Sequence, residues 1–197
     1  MATEINPQQS EVRKSILAVG QRIMASKGFC AVGINEILTA ASVPKGSFYH
    51  YFGSKDAFGV AMLGFYFEGY LAEMDDILGR AGLNSAQRLM NYFHGWKDSQ
   101  SLLECQGKCL AVKLGAEVAD LSEPMRLAMK QGTSEIISRL QAAVEAGQAE
   151  RSIALDAQAQ SLYQLWLGAS VLAKIERSAR PLELALATTR RLLQPPA

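Results

Sequence analysis

The sequence predicts an all-α protein of about nine helices joined by short loops. Three observations predict it. Apolar residues recur at three- and four-residue steps along nearly the whole chain, no convincing period-two alternation interrupts them, and glycine, proline and serine fall between the periodic segments. With 49% hydrophobic residues among 197, a packed core is expected. No apolar run approaches the roughly 18 residues of a membrane span. The opening Met1 to Ser10 lacks the basic-then-apolar order of a secretory leader, so a cytoplasmic protein with no membrane partner is expected. Three cysteines, Cys30, Cys105 and Cys109, are too few and too unevenly spaced for a disulfide scaffold. With two histidines there is no zinc pattern either, and neither metal nor cofactor is expected.

Ser10 suits the N-cap of a first helix in which Val12, Ile16, Val19 and Ile23 share a face, ending at Lys27-Gly28. Ile34, Ile37, Leu38 and Ala41 then mark a short amphipathic helix over Gly33 to Ala41, with Asn35, Glu36 and Thr39 toward water. Ser42-Val43-Pro44 breaks it. Pro44, with φ preset and no N–H to lose, suits the first turn of a second short helix running to about His50 or Tyr51. Phe48 and Phe52, at i and i+4, should anchor that helix from its inner face. Two short helices joined by a tight turn form a helix-turn-helix, which the first helix would brace into a three-helix head.

The next helix, Ser54 to Gly79 with Phe58, Met62, Phe65 and Gly69 inward, is long enough to connect that head to a second domain. Ser85 to Leu103 carries Leu89, Phe93 and Trp96 at helical steps, and Gly107 opens a shorter helix through Leu110, Leu114 and Val118. Ser122 with Pro124 starts another, whose Met125, Met129, Ile136, Leu140 and Val144 face one way until Gly147. Asp156 starts a strongly apolar helix over Leu162 to Ala173, and Pro181 opens the last, with Leu182, Leu186 and Leu193, stopped by Pro195-Pro196. The organisation expected is a helix-turn-helix domain over residues 1–53 and a regulatory and dimerisation domain over 54–197.

The second short helix is dense in side chains suited to phosphates and base edges: Lys45, Ser47, Tyr49, His50 and Tyr51, with Gly46 allowing a close backbone approach. Ser54 can cap the following helix, placing Lys55 and the unused amides of its first turn where a phosphate would sit. The plain alternative is that Tyr49 and Tyr51 are scaffold aromatics and His50 lines the surface. A net charge of +1 argues against coating of nucleic acid by bulk charge. The distribution is more useful: residues 1–60 hold six Lys or Arg against four Asp or Glu, and the remainder fourteen against fifteen. The run V-P-K-G-S-F-Y-H-Y-F-x-S-K, Val43 to Lys55, resembles the helix-turn-helix signature of TetR-type transcriptional regulators. That resemblance implies readout of double-stranded operator DNA by this helix.

Leu165, Trp166, Gly168, Ala169 and Leu172 cover most of the circumference of the penultimate helix, so one face has to meet something beyond its own core. With Leu186 on the last helix they are the candidates for a homodimer surface, since a helix-turn-helix module reads paired half-sites. The alternative is a helix lying in the middle of the second domain.

A regulator of this layout needs a trigger. Cys109, beside Lys108 and one turn before Lys113, stands at the start of a helix whose positive end favours the thiolate, the reactive form. Such a thiol can sense electrophiles or oxidants; it can equally be a small buried hydrophobe. The segments Gly107 to Arg126 (G-K-C-L-A-V-K-L-G-A-E-V-A-D-L-S-E-P-M-R), Leu165 to Ser178 (L-W-L-G-A-S-V-L-A-K-I-E-R-S) and F-G-V-A-M-L after the head resemble the NemR-like branch of the TetR family. The resemblance implies repression of genes that detoxify reactive electrophiles, with Cys109 as the sensor and Lys174 beside it. Ala119 stands where that branch has a further cysteine, so a mechanism needing a second thiol there lacks its residue. Cys105, four residues before Cys109, can be a resolving thiol or packing, and Cys30 is expected in the core.

A reversibly bound apolar inducer also fits, with Phe93, Trp96, Met125, Met129 and Trp166 as candidate pocket walls, although such a stripe is more often plain core. The remaining alternative, an all-helical thiol peroxidase using Cys105 and Cys109, departs from C-x-x-C spacing and leaves His94 outside any relay.

Overall fold

The computed structural model describes residues 7–101 and 109–195. These form nine helices and no strand: α1 (Pro7–Lys27), α2 (Ile34–Ala40), α3 (Lys45–Phe52), α4 (Lys55–Leu78), α5 (Ser85–Ser101), α6 (Leu110–Leu121), α7 (Glu123–Ala149), α8 (Ala159–Glu176) and α9 (Arg180–Leu193). The all-α expectation and its approximate helix count are met among the described residues. The chain divides into two units, one formed by the described residues up to Phe67 with Cys109–Lys130, the other by the described residues of 68–108 and 131–197. Both α4 and α7 contribute residues to each.

In the first unit α1 buries Ile16, Leu17, Val19 and Met24, and ends at Gly28, whose φ of +95° is the left-handed conformation a helix terminus asks of glycine. Gly20 lets the ring of Phe58 lie directly on α1, because a Cβ there would collide with that ring. Lys27 Nζ meets Glu36 Oε1 at 2.6 Å and ties the end of α1 to α2. The turn after α2 is a Schellman closure: Ser42 takes φ +55° and donates to Thr39 O at 3.2 Å, while Val43 donates to Leu38 O at 3.0 Å. Pro44 is the N-cap of α3 rather than a residue of its first turn. Phe48 and Phe52 anchor α3 against Phe58 at ring separations of 5.3 and 5.0 Å.

In the second unit Arg139 grips Asp75 through two N–H groups, at 2.7 and 3.2 Å, joining α7 to α4. Asn84 and Gln87 cap the start of α5 reciprocally at 3.0 and 2.9 Å. Glu150 accepts the backbone N–H of Ser85 at 2.6 Å and the hydroxyl of Ser152, and these donors hold its carboxyl below the usual range. The core stacks Phe93 on Trp166 at 5.1 Å, and Trp166 donates its indole N–H to Thr189 Oγ1 at 2.9 Å.

Besides Pro44, four local expectations are corrected. α1 begins at Pro7, so Ser10 lies within the helix and does not cap it. Gly69 faces solvent and Phe65 is half-buried; the buried positions of α4 are Phe58, Met62, Leu63, Tyr66, Phe67, Leu71 and Met74. α8 begins at Ala159, not Asp156, because the Gln148 amide donates to the carbonyls of Ala154, Leu155 and Ala157 and holds that stretch out of the helix. Cys30 is exposed rather than in the core, since the left-handed turn at Gly28 sends Phe29 inward and its neighbour outward.

Candidate nucleic-acid interface and thiol site

α3 presents Lys45, Gly46, Tyr49 and His50 to solvent, with Ser47 and Tyr51 half-buried; Tyr49 is 51% exposed. The helix is fixed from behind by Phe48 and Phe52, so its outer face is free to enter a groove. Among the described residues, nothing beyond its chain neighbours and its own helix backbone lies within 4 Å of a Cβ placed on Gly46. A hollow of about 360 Å³ lies at the α2–α3 turn, lined in part by Thr39, Ser42, Pro44 and Lys45. Neither Thr39 nor Ser42 is a candidate contact in the sequence, where Thr39 reads as a water-facing helix residue and Ser42 as part of the break before Pro44. Ser54 Oγ accepts the backbone N–H of Ala57 at 3.0 Å and so caps α4. Lys55 is half-buried and turned inward, donating to Phe29 O at 2.9 Å with its ammonium 4.7 Å from the Phe29 ring centroid.

Cys109 is the N-cap residue of α6, with φ −84° and ψ 99°, and is 4% exposed. Its thiol therefore sits at the positive end of that helix. Lys113 and Glu117, four residues apart, share one face of α6, the helix that Cys109 precedes as N-cap. Glu117 accepts two successive backbone N–H groups beyond the end of α1, from Phe29 at 3.0 Å and from Cys30 at 2.7 Å. Partial burial raises its pKa, but these amides, the Cys30 thiol and the Lys113 ammonium outweigh that and hold the carboxyl below its ordinary range. The Cys30 thiol is pushed up, chiefly by its hydrogen bond to Glu117. No sequence pattern pointed to Glu117. Cys109 belongs to the first unit and Lys174, half-buried in the last turn of α8, to the second. Cys105 and Lys108 lie outside the described residues.

Of the candidate inducer walls, Phe93, Trp96 and Trp166 fill one another's space in the second unit: Trp96 lies 5.9 Å from Trp166 and donates to Ser170 Oγ at 3.0 Å. Met125 is fully buried in the first unit, where a Cβ on Gly59 would collide with its sulfur; Met129 is also buried. None of the five lines the open groove of about 440 Å³ between α5 and α9, whose walls include Leu83, Met90, His94, Arg190, Leu193 and Pro195. Of the candidate dimer residues, Leu172 is 49% exposed, Gly168 exposed, Leu165 and Leu186 half-buried, and Ala169 buried. Val171, Ile175, Leu184 and Leu192 extend the exposed apolar surface of α8 and α9. Their signal was the apolar content around the whole helix.

Residues 16–62 match the bacterial regulatory proteins of the tetR family, and residues 85–189 match the tetracyclin repressor-like C-terminal domain. The chain belongs to the TetR family. It is 42% identical over 198 residues to the HTH-type transcriptional repressor NemR of Escherichia coli (strain K12), covering 96% of this chain and 97% of that one. It is 30% identical over 191 residues to the HTH-type transcriptional repressor DhaR of Mycobacterium sp. (strain GP1), covering 95% and 94%. The crystal structure of E. coli NemR in its reduced form superposes with a TM-score of 0.89, covering 95% of this chain and 99% of that one. The resemblance to the NemR-like branch of the TetR family is thus borne out. The protein is a TetR-type transcriptional repressor of a family that binds operator DNA and acts as dimers. It is a regulator, not an enzyme, and the thiol-peroxidase alternative falls away. Among the described residues no helix is long and apolar enough to cross a membrane, and no group of His, Cys, Asp and Glu could hold a metal ion.

Proposed function

We propose that this repressor is a cytoplasmic homodimer that leaves its operator when Cys109 is modified by a reactive electrophile or oxidant. In this reading residues 1–53 bind DNA and 54–197 regulate and dimerise. Lys45, Ser47, Tyr49 and His50 meet the major groove, and Tyr51, Ser54 and the first-turn amides of α4 meet phosphates, while the Lys55 ammonium stays on Phe29 O. Leu165, Gly168, Leu172 and Leu186, with Ile175 and Leu184, lie against the second copy. The carrying observation is the position of Cys109 as the N-cap of α6, at the positive end of that helix. The name of NemR's reduced form, at 42% identity, supports a redox-responsive relative.

With an unsaturated carbonyl compound, the thiolate sulfur would bond to the β-carbon, the C=C pair would shift toward the carbonyl, and the α-carbon would take a proton from water. The added group has to be accommodated where the thiol is 4% exposed, so α6 would move. The test is mass-spectrometric: N-ethylmaleimide added to the duplex-bound protein should label Cys109 in step with release of the duplex. Release that is complete while Cys109 remains unlabelled would overturn the proposal.

The α5–α9 groove, whose lining includes the apolar Leu83, Ala86, Met90, Leu193 and Pro195, favours a second reading in which a small apolar molecule triggers release without a covalent step.

A further inference from the structure

We propose that Glu117 is the positioning residue that couples α6 to the DNA-reading head, so that a displacement of α6 reaches α3 through the segment between α1 and α2. This deepens the proposed function and rests on α6 being the element that the trigger moves.

Every link lies within the first unit. Cys109, the N-cap of α6, stands eight residues before Glu117, about 12 Å along a helix rising 1.5 Å per residue. At the far end Glu117 takes the N–H of Phe29 on one carboxylate oxygen and that of Cys30 on the other, at 3.0 and 2.7 Å. Two successive amides converging on one carboxylate form a rigid anion cradle, and charge-assisted bonds of this length tolerate little displacement. The cradle needs its glycine. Gly28 has φ +95°, and a Cβ on it would approach Glu117 Oε2 to 3.1 Å.

Lys55 Nζ in turn donates to Phe29 O at 2.9 Å, and the buried Phe29 ring packs under that ammonium. One peptide segment is therefore gripped by a carboxylate on α6 and by an ammonium at the first residue of α4. Only Gly53 and Ser54 separate Lys55 from the end of α3. A shift of α6 by an ångström or two, typical of regulatory helix movements, would either break the Glu117 bonds or drag Phe29 and with it the α3–α4 joint.

Binding linkage makes the coupling testable without any inducer: if α6 influences the head, an operator bound to the head must influence α6 by the same factor. Amide hydrogen exchange across α6 is measured in the full-length protein with and without a duplex of its own promoter. The chains compared are wild type, Glu117→Ala, Glu117→Gln and, as a control on the same helix, Asp120→Ala, whose carboxylate is exposed. The duplex should slow α6 exchange about fivefold or more in wild type and Asp120→Ala. It should leave exchange unchanged in Glu117→Ala, which still binds the duplex. Glu117→Gln, which keeps one acceptor oxygen, should fall between and serves if the alanine variant is unstable. Equal slowing in the Glu117 variants, or no slowing in wild type, would overturn the proposal. Failure of maleimide to release wild-type protein from the duplex would overturn thiol sensing while leaving this result to stand or fall by itself.

Discussion

Glu117 accepts the backbone N–H of Cys30 at 2.7 Å across 87 residues of sequence, joining α6 to the segment after α1. The bond favours the ionised carboxylate, whose pKa is lowered from an ordinary 4.5. A lowered folded-state pKa gives stability that is present above the unfolded-state value and is lost as pH falls through the folded-state value. Wild type should therefore melt about 2–4 °C above Glu117→Gln at neutral pH. That gap should close as pH drops below about 4.5. A gap that persists undiminished at the acid end would mean that the charge of Glu117 contributes nothing to the cradle.

Lys45 stands exposed at the start of α3, where it can meet either a guanine edge or a phosphate. Lys45→Ala should weaken operator binding by roughly 1–3 kcal/mol, about fivefold to 150-fold. Anisotropy titrations over a salt series separate the roles: loss of a phosphate contact lowers the salt slope by about one, and loss of a base contact relaxes sequence preference at one position. Unchanged affinity and slope would remove Lys45 from the interface.

Gly20 faces the ring of Phe58, and both are buried. Gly20→Ala overpacks this contact between α1 and α4 and should cost about 1–3 kcal/mol of stability, visible in thermal unfolding. A melting temperature at or above that of wild type would show that the ring moves aside at little cost.

Ile175 is 72% exposed on α8 and Leu184 59% exposed on α9. Introducing glutamate at both should convert the dimer to monomer in sedimentation, because two buried unpaired carboxylates oppose association. Operator affinity should fall by about a hundredfold or more with the loss of paired half-site binding. A variant that remains dimeric would place the interface elsewhere.

Much of the fold was legible because its cues are local. Phe48 and Phe52 could be set inward from i, i+4 spacing, and Gly28 marked the end of α1. What was missed needed information from beyond a helix. Gly69 read as inward on a single extrapolated stripe, but the buried face of α4 turns along its length as it passes from one unit to the other at Phe67. The start of α8 depended on the Gln148 side chain, six to nine residues from the carbonyls it holds. The candidate DNA-reading residues could be singled out because polar, aromatic and basic side chains crowd one short helix. Glu117 could not, since a carboxylate on a helix looks solvated until the amides of Phe29 and Cys30 are seen above it. Phe93, Trp96 and Trp166 showed the converse, a stripe that suggests a pocket but whose rings occupy the space themselves.

The central claim is that chemistry at one thiol governs occupancy of the operator. The most direct measurement is the dissociation constant for a duplex of its own promoter, before and after N-ethylmaleimide, for wild type and Cys109→Ser. The account predicts that wild type loses affinity by about a hundredfold on treatment, a shift of a few kcal/mol between two states of the dimer, while Cys109→Ser keeps its affinity. Equal loss in both proteins, or none in either, would contradict it.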